Sequence, residues 1–476
     1  MPRPGQPPLQ QLNRTPRSRA HIRGRDFMTH SDMAASRPLT LAQLDFWEEF
    51  QAHPGEAVST VAHAIELTGA LDEAAMARAI DQTIAETDVM ALRFTLGPDG
   101  MPRQLLDPAR RPALHHLDLS GEADPRATAL ALMQADVDRA LDLLTQPLAA
   151  HWLIRLGPGH AIWYHRGHHI ALDGYAMGLI EARCAQLYAD ATAGTALAPL
   201  AAYLDEECAY RASARHVADG GHWSEILSAP PAPQVLDKGS EDYPARPLCH
   251  EQSLADLRGA LLDRAAQTGI GWPDLLTALC AAWAVLNLHD RSAARVRDGE
   301  GRITMPIWLP YMSRMGSVAI RVPALVVNIL PFDASLSASE PLGPMLVRLA
   351  GGLRKLRRHG RYRIEQIAAD HGLASHQRFF FSPLINVLPF DPAQFPGCAA
   401  ERHVLSNGPG DGFNITIRGD SRAGGLDLCL EADPTLTPAA DFARHAVSLP
   451  RFLHQALRPE AATRPVGALG TLPEPA

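Results

Sequence analysis

Apolar residues recur along the chain with two spacings, which predict alternating strands and helices. Within residues 59–67, Val61, Ile65 and Leu67 share one face, as is typical of a strand with one buried side. A four-residue spacing of apolar side chains from Met76 to Ile84 instead predicts a helix, which Asp72 would cap at its start. The pattern therefore favours a mixed α and β structure.

The second half of the chain repeats this alternation. Between the halves lies a segment rich in proline and charge, 227–247, which we interpret as the crossing between two lobes. We therefore predict an N-terminal lobe over residues 36–226 and a C-terminal lobe over 227–458, each long enough for its own core. The strands predicted in the second lobe are 303–309, 324–332, 384–388 and 413–418, and the helices are 273–288, 344–358 and 439–457.

Both ends of the chain differ from the rest. Residues 1–35 are basic and rich in proline, and no apolar core follows their arginines, so they predict a disordered tail and not a signal peptide. Residues 459–476 are rich in proline and alanine and predict a second, loose tail.

Composition narrows the class of protein. A net charge of -8 argues against a dedicated nucleic-acid binder. The six cysteines are scattered and form no C-x-x-C pair, which predicts reduced thiols in a cytoplasmic protein. No apolar run is long enough to cross a membrane, so we predict no membrane partner.

The candidate catalytic side chains are concentrated in the seven residues from His168 to Gly174, which read His-His-Ile-Ala-Leu-Asp-Gly. They lie between an apolar strand, 161–164, and a predicted helix, 174–188, and such a junction can hold a side chain rigidly at a cleft. Adjacent side chains on extended backbone point to opposite faces, so only one histidine can face a given cleft. Histidine is the natural general base near neutral pH.

Two simpler interpretations compete with this one. The pair could be two half-buried histidines without a function, although the pair His115–His116 has no aspartate four residues on, whereas His169 is followed by Asp173. A metal site is disfavoured because adjacent histidines point apart and their spacing is not that of H-E-x-x-H. A buried Asp173 would need a cationic partner.

The segment His168 to Gly174 resembles the H-H-x-x-x-D-G motif of the condensation domains of nonribosomal peptide synthetases, which belong to the chloramphenicol acetyltransferase-like superfamily. The resemblance covers about residues 38–459. Segments 131–136 and 311–317 are similar to the siderophore subgroup, which includes the condensation domain of enterobactin synthase and stand-alone amide synthases. Other segments that match family motifs in order are 39–43 with Trp47, 91–94, 326–331, 364–367 and 381–387.

The resemblance implies an α+β fold of two acetyltransferase-like lobes arranged as a V around a central tunnel. It implies that His169 positions or deprotonates the attacking amine, or stabilises charge in the transition state, while His168 is structural. Gly174 would lie close to the reaction centre, where its backbone N–H could reach the thioester oxygen.

The same resemblance implies supporting roles for three further residues. Arg314 and Arg93 are the candidate ion-pair partners of Asp173, and the alternative for each is a solvated surface charge. Asn328 is expected either to line the tunnel or to satisfy backbone groups within the sheet.

The implied function is that of a free-standing enzyme that forms an amide between an amine and an acyl or aryl group. The acyl group would be a thioester on the phosphopantetheine arm of a separate carrier protein, and the amine a small molecule or an aminoacyl carrier protein. We find no carrier, adenylation or thioesterase motif and no cofactor fingerprint, so we expect no cofactor and a carrier supplied in trans. A basic cluster at 354–363 is either a carrier-docking surface or a solvated face.

Two other functions compete. An acyltransferase of the same superfamily would make esters or amides from another thioester such as acyl-CoA. A non-enzymatic recruitment module is disfavoured because both His168 and His169 are intact.

Overall fold

The computed structural model describes residues 35–239, 247–289, 293–408 and 412–469. The predicted basic tail lies outside the described residues apart from residue 35, and so does the part of the predicted crossing segment from 240 to 246.

Short strands and helices alternate through the first half of the chain, as the apolar spacing predicts. Its strands are β1 (Arg37–Pro38), β2 (Thr60–Gly69), β3 (Leu92–Leu96), β4 (Pro102–Leu106), β5 (Leu114–Asp118), β6 (Ala149–Gly157), β7 (His160–His168) and β8 (Val235–Asp237). Its helices are α1 (Leu41–Ala52), α2 (Glu73–Glu86), α3 (Pro125–Val137), α4 (Gly174–Ala189), α5 (Leu200–Arg211) and α6 (Ala214–Leu227).

Two of these helices begin where the sequence predicts. Thr40 and Gln43 form a reciprocal capping box at the start of α1, which satisfies backbone N–H groups that the helix leaves unpaired. Asp72 accepts a hydrogen bond from the N–H of Ala75 and so caps α2. The predicted apolar positions of α2, including Met76, are buried in the core of this half.

The second half has a larger sheet, and long helices pack against it. Its strands are β9 (Leu248–Ser253), β10 (Val296–Arg297), β11 (Ile303–Tyr311), β12 (Asn328–Leu336), β13 (Gln377–Phe379), β14 (Leu384–Pro389), β15 (Cys398–Asn407), β16 (Phe413–Gly419) and β17 (Asp427–Ala432). Its helices are α7 (Arg258–Thr268), α8 (Trp272–Asn287), α9 (Leu342–Arg358), α10 (Ile364–Asp370) and α11 (Ala439–Ala456).

The two main sheets do not divide cleanly at one point of the chain. The first has five strands in the order β15-β2-β7-β6-β5, and the second has seven, in the order β10-β11-β14-β16-β17-β9 with β12 beside β11. Strand β15 comes from the second half yet pairs antiparallel with β2. Four apolar residues of the segment after β11 also pack into the core of the first half: Ala319, Val322, Ala324 and Val326. A single boundary at residue 227 therefore does not describe these two segments.

The predicted loose tail is wrong for residues 459–469. Ala461 and Val466 are fully buried and Leu469 is 1% exposed, all within the core of the second half. The backbone joins this segment to the start of α9, where the N–H of Leu342 donates to the carbonyl of Arg464. The prediction rested on the high proline and alanine content of the segment. A few apolar side chains in it are enough to pack against the core of the second half. Residues 470–476 lie outside the described part.

Across the described residues, no single helix is both long and apolar enough to cross a membrane. The bent pair 255–268 and 272–287 passes that test of length and composition only when its two helices are taken together.

We expect Leu469→Ala to lower the free energy of unfolding by about 2–4 kcal/mol, because it leaves a cavity in a closed core. Chemical denaturation of both variants measures the effect. The matched control is Leu132→Ala, at a side chain that is 40% exposed, which should change stability by less than about 1 kcal/mol. Equal effects of the two substitutions would contradict the packing of this segment.

Candidate active site

The predicted motif occupies the turn between a central strand and a helix. Strand β7 ends at His168 and α4 begins at Gly174. The N–H of His168 donates to the carbonyl of Leu148 (2.9 Å), and the N–H of His169 donates to the carbonyl of Ser59 (2.8 Å). Backbone hydrogen bonds to both sides of β7 therefore fix the two histidines.

His168 points into the protein. Its side chain is buried, and its Nδ1 accepts a hydrogen bond from the N–H of Ile170 (3.1 Å), which leaves the ring proton on Nε2. Burial lowers the pKa of His168 to about 3, and the neighbouring His169 and Arg166 add to this. His168 is thus a neutral side chain that holds the turn.

His169 is partly exposed and contacts the second half of the chain. Its Nε2 lies 3.2 Å from the carbonyl oxygen of Asn407, at the end of β15, and its ring stacks on Phe46 of α1 with 5.2 Å between centroids. Burial lowers the pKa of His169, although the Asn407 carbonyl and the charge of Asp173 oppose that effect. The imidazole is therefore neutral at neutral pH, as a general base must be.

Asp173 forms a buried ion pair with Arg314. Both carboxylate oxygens lie 2.9 Å from Nη2 of Arg314, and the two side chains are 2% and 0% exposed. Asp173 caps α4 by accepting a hydrogen bond from the N–H of Ala176, and it also accepts hydrogen bonds from the N–H groups of Val326 and Val327. Burial alone would raise the pKa of Asp173, but Arg314 and these N–H groups outweigh it and lower that pKa.

Arg314 is itself surrounded by backbone carbonyls. Its guanidinium donates to the carbonyl oxygens of Ala319, Val322 and Ala324 at 2.6–2.7 Å. It also lies 4.7 Å from the ring centroid of Tyr175. These contacts hold the loop after β11 against the start of α4, the helix that follows the motif.

The other candidate partner of Asp173 lies elsewhere, so that alternative is wrong. Arg93, on β3, is paired with Asp107 at 3.5 Å. Sequence order could not separate the two arginines, because which of them reaches Asp173 depends on how the halves pack.

Asn328 supports the backbone and does not line an open space. It is 1% exposed; its amide donates to the carbonyls of Gly360 and Tyr362, and its oxygen accepts from the N–H groups of Ile329 and Ile364. Of the two roles expected for Asn328, the contacts fit the satisfaction of backbone groups at the start of β12.

Gly174 is exposed, and an added Cβ would meet nothing within 4 Å. As the first residue of α4 it has a backbone N–H that no helical carbonyl can accept. Its expected contact with a thioester oxygen stays a prediction.

The structure adds three residues that the motif search missed: Phe46, Asn407 and Gly408. All three contact the ring of His169. The dipeptide Asn407-Gly408 is a turn signal, but its contact with residue 169 depends on the pairing of β15 with β2.

Two groups of side chains within the described ranges have the composition of metal ligands. In the first, Glu181 is hydrogen-bonded to His63 (2.6 Å) and His165 (3.3 Å) and is also paired with Arg402. Arg402 therefore balances the charge of Glu181 without a metal ion, and the pKa of Glu181 is lowered, because these partners outweigh its burial. The second group is Cys249, Glu251 and Cys429 on the paired strands β9 and β17.

Half of the basic cluster is engaged in ion pairs. Arg357 binds Asp274, Arg361 binds Glu206 and Glu207, and Arg363 binds Glu365. The remaining cations, Arg354, Lys355 and Arg358, are exposed on the last turns of α9.

Sequence comparisons identify similar proteins over most of the chain. The family model "Condensation domain" matches residues 33–395. The isonitrile lipopeptide synthase of Streptomyces coeruleorubidus is 33% identical over 450 residues, 92% of this chain and 30% of that protein. Enterobactin synthase component F of Escherichia coli (strain K12) is 31% identical over 440 residues, 89% of this chain and 32% of that protein. The chain thus spans about a third of the length of these relatives.

Solved structures agree with this result. The structure of VibH, an NRPS condensation enzyme, has a TM-score of 0.79 and 34% identity, and the match covers 90% of this chain and 100% of VibH. The starter condensation domain of rhizomide synthetase RzmA, in complex with C8-CoA, has a TM-score of 0.78 and 27% identity and covers 92% and 98%. The predicted α+β condensation-domain fold is confirmed. The V shape and the tunnel stay predictions.

We expect Asp173→Ala to lower the free energy of unfolding by about 3–5 kcal/mol, because it leaves the buried guanidinium of Arg314 without its counter-charge. The measurement is chemical denaturation. Asp205→Ala is the matched control: that aspartate also pairs with an arginine, Arg37, but both side chains are exposed, so the loss should stay below about 1 kcal/mol. Similar losses in both variants would show that the Asp173 pair is not a structural element.

Proposed function

Because the chain belongs to the condensation domain family, whose enzymes form amide bonds by acyl transfer, we propose that it is a free-standing amide synthase that uses His169. Its donor would be an acyl or aryl thioester on the phosphopantetheine arm of a separate carrier protein. The observation that carries the proposal is a neutral, partly exposed imidazole held where the two halves of the chain meet.

The reaction moves one proton from the amine to the leaving group, and in this proposal His169 relays it. The amine nitrogen attacks the thioester carbonyl carbon, so a C–N bond forms and the C–S bond breaks. The nitrogen gives one proton to Nε2 of His169, and the leaving thiolate takes that proton. A base held within hydrogen-bond reach of the nitrogen supplies both orientation and proton transfer.

The other motif residues have supporting roles in this proposal. Asp173 binds Arg314 and three backbone N–H groups, so in this proposal it places the turn and does not exchange a proton with substrate. Gly174 would direct its backbone N–H at the thioester oxygen, on which negative charge develops during attack.

The names of the relatives support a siderophore-type product. Among them are enterobactin synthase component F and a vanchrobactin synthetase. With the subgroup resemblance of segments 131–136 and 311–317, this favours an aryl donor. The same subgroup includes stand-alone amide synthases, which favours a small free amine as acceptor over an aminoacyl carrier protein.

A second candidate donor is a coenzyme A thioester. The RzmA condensation domain was solved in complex with C8-CoA. Coenzyme A presents its acyl group on the same phosphopantetheine arm as a carrier, so an acyl-CoA would need no docked protein.

We expect His169→Ala to lower kcat for amide formation by about 10²–10⁴-fold, the usual contribution of a general base. The protein should keep its melting temperature, since His169 is partly exposed. The control is His115→Ala, at an exposed histidine on β5, which should leave the rate unchanged. A His169→Ala rate within about tenfold of the wild type, or 1.4 kcal/mol, would rule out this role.

The substrates are tested by product analysis with three donor and acceptor pairs. We expect an aryl carrier protein and a free amine to give an amide that is released into solution. If product forms only with a second loaded carrier and stays attached to it, the acceptor is carrier-bound. Turnover of an acyl-CoA at a comparable rate would favour the second candidate donor.

A further inference from the structure

The backbone at the end of β15 lies directly against the catalytic imidazole. The carbonyl oxygen of Asn407 is 3.2 Å from Nε2 of His169. The next residue, Gly408, has a φ of +82°, and a Cβ built on it would lie 2.4 Å from Cδ2 and 3.0 Å from Nε2 of the same ring. No other residue type fits at position 408 without moving the imidazole.

Hydrogen bonds hold this backbone in place from both halves of the chain. The hydroxyl of Ser406 donates to the carbonyl of Thr60 on β2 (2.6 Å) and accepts from the N–H of Gly408 (3.3 Å). Arg418, on β16, donates to the side-chain oxygen of Asn407 (3.2 Å). These hydrogen bonds therefore hold the Asn407 carbonyl in the direction of His169.

Nε2 of His169 and the carbonyl oxygen of Asn407 cannot both be satisfied when the imidazole is in its reactive form. A neutral imidazole carries one ring proton. If Nε2 carries it, Nε2 donates to Asn407 and has no lone pair with which to accept a proton from an amine. If Nδ1 carries it, two acceptors face each other at 3.2 Å with no proton between them. The second form is the reactive one, and it needs a donor from outside.

A primary amine supplies that donor. It has two N–H groups and can direct one at Nε2 of His169 and the other at the Asn407 carbonyl. On attack, the first proton moves to Nε2 as the C–N bond forms, and the second remains on the nitrogen as the N–H of the product amide. The atoms therefore balance with no further reactant.

We propose that the backbone carbonyl of Asn407 is the second binding group for the nucleophilic amine, and that Gly408 is a positioning residue that allows the carbonyl and imidazole to approach. The proposal rests on the amide synthase function above. It adds a substrate class: primary amines, because a secondary amine has one N–H and cannot serve both acceptors.

The test is Gly408→Ala, with Gly301→Ala as its control. Gly301 has nearly the same φ, +81°, but a Cβ there would meet nothing within 4 Å, so both variants carry the same backbone strain and only one disturbs His169. We expect Gly408→Ala to lower kcat/KM for the amine by at least about 100-fold while KM for the thioester changes little. Gly301→Ala should stay within about twofold of the wild type.

Two further measurements separate positioning from a general structural role. His169→Ala/Gly408→Ala should be no slower than His169→Ala alone, since both changes remove one function. The wild type should prefer a primary amine over its N-methyl analogue, and Gly408→Ala should lose most of that preference.

The proposal is overturned if Gly408→Ala matches Gly301→Ala in rate, or if the losses in the double variant multiply. It is also overturned if a secondary amine reacts as fast as a primary one with the wild type. Failure of the underlying function gives a different result, in which His169→Ala itself remains active.

Discussion

The buried ion pair between Asp173 and Arg314 is the interaction on which the site depends. Removing two charges from water costs several kcal/mol per ion, and only close contact together with further hydrogen bonds offsets that cost. Here the offset is supplied by backbone groups on both sides: N–H groups at 176, 326 and 327 for the carboxylate, and three carbonyls for the guanidinium. Because those groups come from both halves of the chain, the pair can form only when the halves are packed together.

The arrangement of residues around His169 thus depends on two crossings of the chain. The loop after β11 brings Arg314 to Asp173 of the motif, and β15 pairs with the first sheet and brings Asn407 to His169. The motif belongs to the first half, and two segments of the second half therefore contact it. Neither lobe has a complete site alone, which explains why a motif of seven contiguous residues needs a chain of this length around it.

Patterns among neighbouring residues were sufficient to predict part of the fold. The features that were missed depend on contacts between residues far apart along the chain. The caps at Thr40 and Asp72 and the strand-to-helix junction at the motif follow from neighbouring residues, and the structure has them as predicted. The choice between Arg314 and Arg93 depends on contacts between residues more than 70 positions apart, for which one sequence gives no spacing rule. The same holds for β15, since its partner strand β2 lies more than 300 residues earlier.

The two adjacent histidines show that surrounding groups, and not burial alone, determine how far a pKa is shifted. Burial lowers the pKa of both. For His168, the adjacent His169 and the guanidinium of Arg166 add to that effect, so its ring stays neutral and holds the turn. For His169 the Asp173 carboxylate and the Asn407 carbonyl oppose it, so protonation costs less at this ring than at its neighbour. A ring that is neutral before attack and able to hold a proton during it is what amide formation requires. The carboxylate of Asp173 therefore does two things: it binds Arg314, and it opposes the effect of burial on the pKa of His169.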